Sequence, residues 1–220
     1  MERNPVLERL LLELRDPSTD RPSFRRALQA VGYHLGTEVA KDLPTERRGV
    51  RTLMGKDAYH DVVAEDPALI CLLRAGLPLY QGVQDAFPYA EAGFIGTSRD
   101  EGTLRSRIDY VAIPEIKDKT VLLIDTMLAT GGSVSDVAAL INPLSEAALF
   151  VRPYAERVIV VGAFGSLEGV TRLKKEGLEV YAAVVDPELN FYGYILPGLG
   201  DAGDRCFGKK SHMDFLREPR

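Results

Sequence analysis

A chain of 220 residues, 45% hydrophobic and 27% charged, can bury a sizeable core without disulfides or structural metals. Its net charge of -5 argues against duplex nucleic acid as the main partner, because such a surface carries a basic excess. Two cysteines (Cys71, Cys206) form no CxxC pair and three histidines (His34, His60, His212) share no ligand spacing, which argues against structural zinc.

Residues 5–14 read as a short helix, with Glu8 and Glu13 around the apolar run 10–12. That run is neither a signal peptide nor a membrane span, so the expected location is the cytoplasm. Asp16–Pro22 is a break. Phe24, Leu28, Val31, Leu35 and Val39 recur at spacings of three and four, which predicts an amphipathic helix. From Pro44 to Asp66 the pattern is mixed and polar and predicts no element. Ala68–Leu73 is a continuous apolar run fit for a buried strand, with Cys71 as core. Gly93–Gly96 is a short strand, and Tyr110–Ile113 another at an edge.

The second half alternates regularly. Thr120–Ile124 is a β-branched strand, followed by a glycine-rich turn and a helix through Ile141. Val158–Ala163 is a strand, Leu167–Glu176 a helix stopped at Gly177, and Val180–Val185 the next strand. Such alternation predicts an α/β fold, a parallel sheet with helices on both faces. After Asp186 the chain, rich in glycine and proline, is expected to be loop and short hairpin. No repeat or linker interrupts the sequence, so residues 1–220 read as one domain.

Three segments carry chemistry. In the first, Val121-Leu-Leu-Ile-Asp125-Thr-Met-Leu-Ala-Thr130-Gly-Gly-Ser133, a buried strand delivers Asp125 to the carboxyl edge of the sheet, where ligands of open α/β sheets bind. The turn Thr130–Ser133 leads into a helix, so its amides can converge on an anion. An acid beside a phosphate cradle suits a sugar phosphate; the plainer alternative is an ordinary turn capped by Asp125. No lysine follows Gly132, so this is not a Walker A loop.

The second segment, Gly193 to Arg205, contains a formal G-x-G-x-x-G at Gly198, Gly200 and Gly203. A dinucleotide reading fails because no βαβ unit follows. A rigid loop offering backbone amides and carbonyls to a flat ligand fits better. The alternative is a structural hairpin with an Asp204–Arg205 ion pair. In the third, Leu73-Arg74-Ala75-Gly76-Leu77, Arg74 ends a buried strand and could pair bidentately with phosphate oxygens, or simply sit at the surface. The run Arg99-Asp100-Glu101 reads by itself as a solvated charge cluster.

Met127-Leu-Ala-Thr-Gly-Gly-Ser133 resembles the phosphoribosyl pyrophosphate (PRPP) signature of type I phosphoribosyltransferases, in the form used by the uracil phosphoribosyltransferase family. The Gly193–Gly208 segment is similar to that family's uracil-binding signature. Arg74 with its neighbours resembles the pyrophosphate loop, and Arg99-Asp100-Glu101 a mobile loop whose arginine reaches PRPP. Leu14-Arg15-Asp16 and Phe24-Arg25 resemble the family's start, where the region helps form the dimer. The chain departs from the pattern at Thr126, where the usual string has proline, and at Pro78 and Gln81.

The resemblance implies a type I phosphoribosyltransferase core with an N-terminal helical arm (about 1–42) and a C-terminal base-binding hairpin or hood (about 186–208). It implies transfer of 5-phosphoribosyl from PRPP to uracil, giving UMP and pyrophosphate. Arg74, Arg99 and Asp125 would be catalytic. PRPP would be held by these three with Thr126, Met127, Leu128, Ala129, Thr130, Gly131, Gly132, Ser133 and Asp201. Uracil would be held by Ile195, Gly200, Asp201 and Ala202. Mg²⁺ would be carried mainly by PRPP, and the protein would be a homodimer or higher homo-oligomer, with no nucleic-acid or membrane partner. Two other readings stay open: a phosphoribosyltransferase for another base, and a nucleotide-sensing regulator that has lost efficient chemistry, motivated by Thr126 and the altered 76–82 segment.

Overall fold

The computed structural model describes residues 4–99, 106–141 and 154–210. Helices α1 (Pro5–Arg15) and α2 (Arg21–Ala40) open the chain. Asn4 caps α1 by accepting from the amides of Val6 and Leu7, and Asp20 caps α2 by accepting from Ser23. The break between them is shorter than the sequence suggests, because Pro22 belongs to the first turn of α2, where its missing N–H costs nothing.

The stretch 44–66, without a readable pattern, forms an antiparallel ribbon of β1 (Thr45–Arg51) and β2 (Asp57–Val63). Every residue of β1 is exposed, so the inside–outside alternation that betrays a strand is missing. β3 (Ala68–Leu73) then enters the core and is followed by α3 (Leu77–Ala86), β4 (Ala92–Arg99) and β5 (Ser106–Ala112). β6 (Thr120–Leu128), α4 (Gly132–Ile141), β7 (Arg157–Ser166), α5 (Leu167–Lys175) and β8 (Glu179–Asp186) complete the alternation. The tail holds the expected short hairpin, β9 (Glu188–Leu189) with β10 (Ile195–Leu196). It also holds an unforeseen helix, α6 (Ala202–Phe207), started by Asp201, whose carboxylate accepts from the Asp204 amide at 2.8 Å.

The main sheet has the order β5-β4-β3-β6-β7-β8, parallel except for the edge strand β5. Alternate residues divide between two cores. Leu69, Cys71, Leu122 and Ile124 pack with α1–α3, whereas Ala68, Ile70, Val121 and Leu123 pack with α4 and α5. Helices therefore cover both faces. α2 and α3 touch through their backbones: a Cβ on Gly82 would sit 1.8 Å from the Gln29 carbonyl oxygen.

Candidate active site

From β3 the chain steps outward to β4, and later returns on the other side of β3 with β6, β7 and β8. The reversal lies between β3 and β6, and a crevice opens there at the carboxyl ends of the strands. β3 stops at Leu73, while β6 runs on to Leu128, further than the sequence suggests. The β3–β6 ladder ends at Cys71 against Ile124. The longer strand thus presents Asp125 and Met127, with Ala129 just beyond its end, beside the turn that carries Arg74 and Ala75, all lining one cleft of about 700 Å³.

Several sequence-predicted residues meet there. Arg74, Asp125, Met127, Ala129 and Ser133 line the cleft from the sheet side; Ile195, Gly200, Asp201 and Ala202 line it from the C-terminal segment. Thr130, Gly131 and Gly132 line a small adjoining hollow together with Asp125 and Ser133. Gly131 takes φ +74°, a conformation that glycine adopts without steric penalty. Its carbonyl accepts the Ser135 amide at 2.8 Å as α4 begins. Within the turn the Gly132 amide donates to the Thr130 hydroxyl at 3.3 Å.

Thr126 and Leu128 point the other way. Both are fully buried, as strand alternation requires once Asp125, Met127 and Ala129 face the cleft. The Thr126 hydroxyl donates to the Ala75 carbonyl at 2.7 Å. Arg99 ends β4. The expectations for its side-chain reach and for closure of the following loop lie outside the described residues.

Arg74 forms an ion pair with Asp204 at 3.5 Å. The alternative Asp204–Arg205 pair is thereby replaced. Arg205 instead turns toward α1, donating to the carbonyls of Leu14, Leu199 (3.1 Å) and Asp16 (2.6 Å), with its guanidinium 4.2 Å from the Phe24 ring centroid. Arg15 binds Asp186 through both terminal nitrogens at 2.9 and 2.6 Å and also donates to the Gly198 carbonyl at 2.8 Å. Arg25 donates to the Cys206 carbonyl at 2.8 Å. The N-terminal arm therefore grips this same chain's C-terminal segment from behind.

Sequence reasoning missed several lining residues. Thr97 and Ser98 of β4 and Tyr194 of the hairpin face the cleft, as do Lys209 and Lys210. The adjacent lysines directly after Gly208 were a usable signal, since basic side chains near a phosphate site add favourable charge. Burial pushes the Cys71 thiol far above its ordinary value, with the neighbouring Asp125 charge adding to the effect. Burial likewise pushes Cys206 up to about 11. Neither thiol is a ready nucleophile.

No group of three or more His, Cys, Asp or Glu side chains that could hold a metal occurs among the described residues. Asp125 and Asp201 both line the cleft, and a Mg²⁺ bound mainly by substrate oxygens needs only one or two protein carboxylates.

A parallel sheet with an acid-and-glycine turn at its switch point and a C-terminal segment lining the same cleft is the arrangement expected of a phosphoribosyltransferase. The family model described as "Uracil phosphoribosyltransferase" matches residues 1–209. Curated relatives with that name include one from Thermococcus kodakarensis, 37% identical over 217 residues, covering 94% of this chain and 89% of the relative. Another, from Pyrococcus furiosus, is 35% identical over 98% of this chain and 91% of its own. The solved structure "AQ2163 protein from Aquifex aeolicus" superposes with a TM-score of 0.81 at 33% identity, covering 94% of this chain and 96% of that one. The chain belongs to the uracil phosphoribosyltransferase family.

Proposed function

We propose that this protein transfers the 5-phosphoribosyl group from PRPP to uracil, forming UMP and pyrophosphate. One observation carries the assignment of roles: a single cleft is walled on one side by Arg74, Asp125 and Ser133 and on the other by Ile195, Gly200 and Ala202. The Thr130–Ser133 turn holds the 5′-phosphate, and Asp125 accepts hydrogen bonds from the ribose hydroxyls. Arg74 pairs with the pyrophosphate. The backbone around Ile195 and Gly200 presents fixed donors and acceptors to uracil, which match its edge and leave buried groups unpaired with cytosine.

In the reaction the bond from the anomeric carbon to the pyrophosphate oxygen breaks as uracil N1 attacks from the opposite face. The oxygen keeps the electron pair, and N1 loses its proton to solvent. Positioning and charge stabilisation supply the rate, so no protein nucleophile is required. When bound, Mg²⁺ neutralises charge on the departing pyrophosphate.

We assign the whole chain to one catalytic domain, braced by the helical arm 1–42 and hooded by residues 186–208. A homodimer or higher homo-oligomer is supported by the exposed β1–β2 ribbon, whose Val50, Leu53, Met54 and Tyr59 all face outward. We place the enzyme in the cytoplasm. No described helix is long and apolar enough to cross a membrane. The test is incubation with Mg²⁺, PRPP and each of uracil, cytosine and hypoxanthine. Equal UMP and pyrophosphate with uracil alone is the expected result. Binding of PRPP without product would favour a nucleotide-sensing regulator, and product with another base would reassign the hairpin.

A further inference from the structure

The turn after β3 hangs on β6 by a side chain. The ladder between the two strands ends at Cys71 against Ile124, three residues before Arg74. Beyond that point the Thr126 hydroxyl donates to the Ala75 carbonyl at 2.7 Å, and Thr126 is fully buried. Gly76 is pressed against the same strand: a Cβ there would lie 3.0 Å from the Ile124 carbonyl oxygen and 2.5 Å from that of Leu72. The turn is thus packed onto β6 and fixed by one directional bond at the residue beside Arg74. A proline after Asp125, as in the usual family string, has no hydroxyl to form this bond.

We propose that Thr126 is a positioning residue for the leaving-group side of the cleft. Its hydroxyl meets the Ala75 carbonyl and not the cleft; by fixing that carbonyl it sets where Arg74 and the turn's backbone meet pyrophosphate. This inference rests on the PRPP reading above. It also separates Thr126 from Asp125, its neighbour on the cleft face of the same strand.

Thr126→Val keeps the shape and removes the donor, whereas Thr126→Ser keeps the donor. One net hydrogen bond translates into a rise of about five- to tenfold in the KM for PRPP with T126V. Inorganic pyrophosphate binding, read by calorimetry, should weaken by the same factor. The KM for uracil should stay within about twofold, and T126S should restore the parent's PRPP and pyrophosphate values to within about twofold. Unchanged PRPP and pyrophosphate affinities in T126V would overturn the inference. So would equal rises in both substrates' KM, which indicate general loosening. If T126V does not fold, T126A against T126S gives the same contrast of hydroxyl absent against present. A parent protein that makes no UMP would overturn the proposed function and this inference with it; a working parent with an indifferent T126V overturns only this inference.

Discussion

Arg15→Met tests whether the N-terminal arm braces the C-terminal segment that lines the cleft. The Asp186 side chain is 6% exposed and that of Arg15 25%, and the carboxylate takes three hydrogen bonds: two from Arg15 and one from the Gly198 amide at 3.0 Å. Methionine fills most of the arginine's volume but strands a buried carboxylate with one donor and leaves the Gly198 carbonyl without its Arg15 partner. Breaking one side of a buried pair costs about 3–5 kcal/mol, and the partial exposure of Arg15 places the expectation near the lower end, ~3 kcal/mol. For a chain of this size that is a fall in Tm of roughly 6–12 °C. Because Gly198 and Leu199 lead into Gly200 of the cleft wall, the KM for uracil should rise more than that for PRPP. The double variant R15M/D186L should recover much of the loss, since an apolar pair leaves no orphaned charge. Denaturant unfolding followed by circular dichroism, with initial rates at varied uracil, gives both readouts. A cost for R15M under about 1 kcal/mol, or a double variant as damaged as the two singles added together, would refute the reasoning.

Asp125→Asn should lower turnover by about a hundredfold while the unfolding midpoint moves little; comparable loss of both would remove Asp125 from the chemistry. Gly82→Ala places a Cβ 1.8 Å from the Gln29 carbonyl oxygen, so α2 and α3 must separate, at a cost of about 3 kcal/mol or more in chemical unfolding; a neutral effect would contradict the backbone contact. The Tyr181 phenol donates to Asp42, and burial first, then this bond, pushes its pKa from 10.0 up to about 12. A raised pKa means that the folded state holds the proton more tightly, so this contribution is complete below pH 10 and lost as pH rises toward 12. Between those values the stability of the parent should fall more steeply than that of Tyr181→Phe; parallel curves would show that the pair contributes nothing.

Much of the framework is written locally. β3 coincides with the apolar run Ala68–Leu73, and α2 and α5 follow their stripes of three and four, because burial on one face imposes a period that a short window of sequence records. The acid-and-glycine turn is equally local, since its conformation depends on glycine at a position with positive φ. α3 was hidden: Gly76, Pro78 and Gly82 look like breakers, yet Leu79, Tyr80 and Val83 form its buried face. Its glycine is there for contact with α2 and not for a turn. The β1–β2 ribbon was hidden for the opposite reason, since an element exposed all along one strand leaves no hydrophobic signature.

By itself, then, the amino-acid sequence determined the parallel α/β framework, the acid-and-glycine turn and the glycine-rich C-terminal segment, all features whose residues lie within a few positions of one another. Only the tertiary structure decided that Thr126 faces Ala75 instead of the cleft, that Arg74 meets Asp204 across 130 positions, and that Arg15 reaches Asp186 and Gly198 across 171 and 183. Such pairings depend on which strand runs further and which segments the packed helices bring to the same edge. Neither partner's local sequence carries a trace of the other.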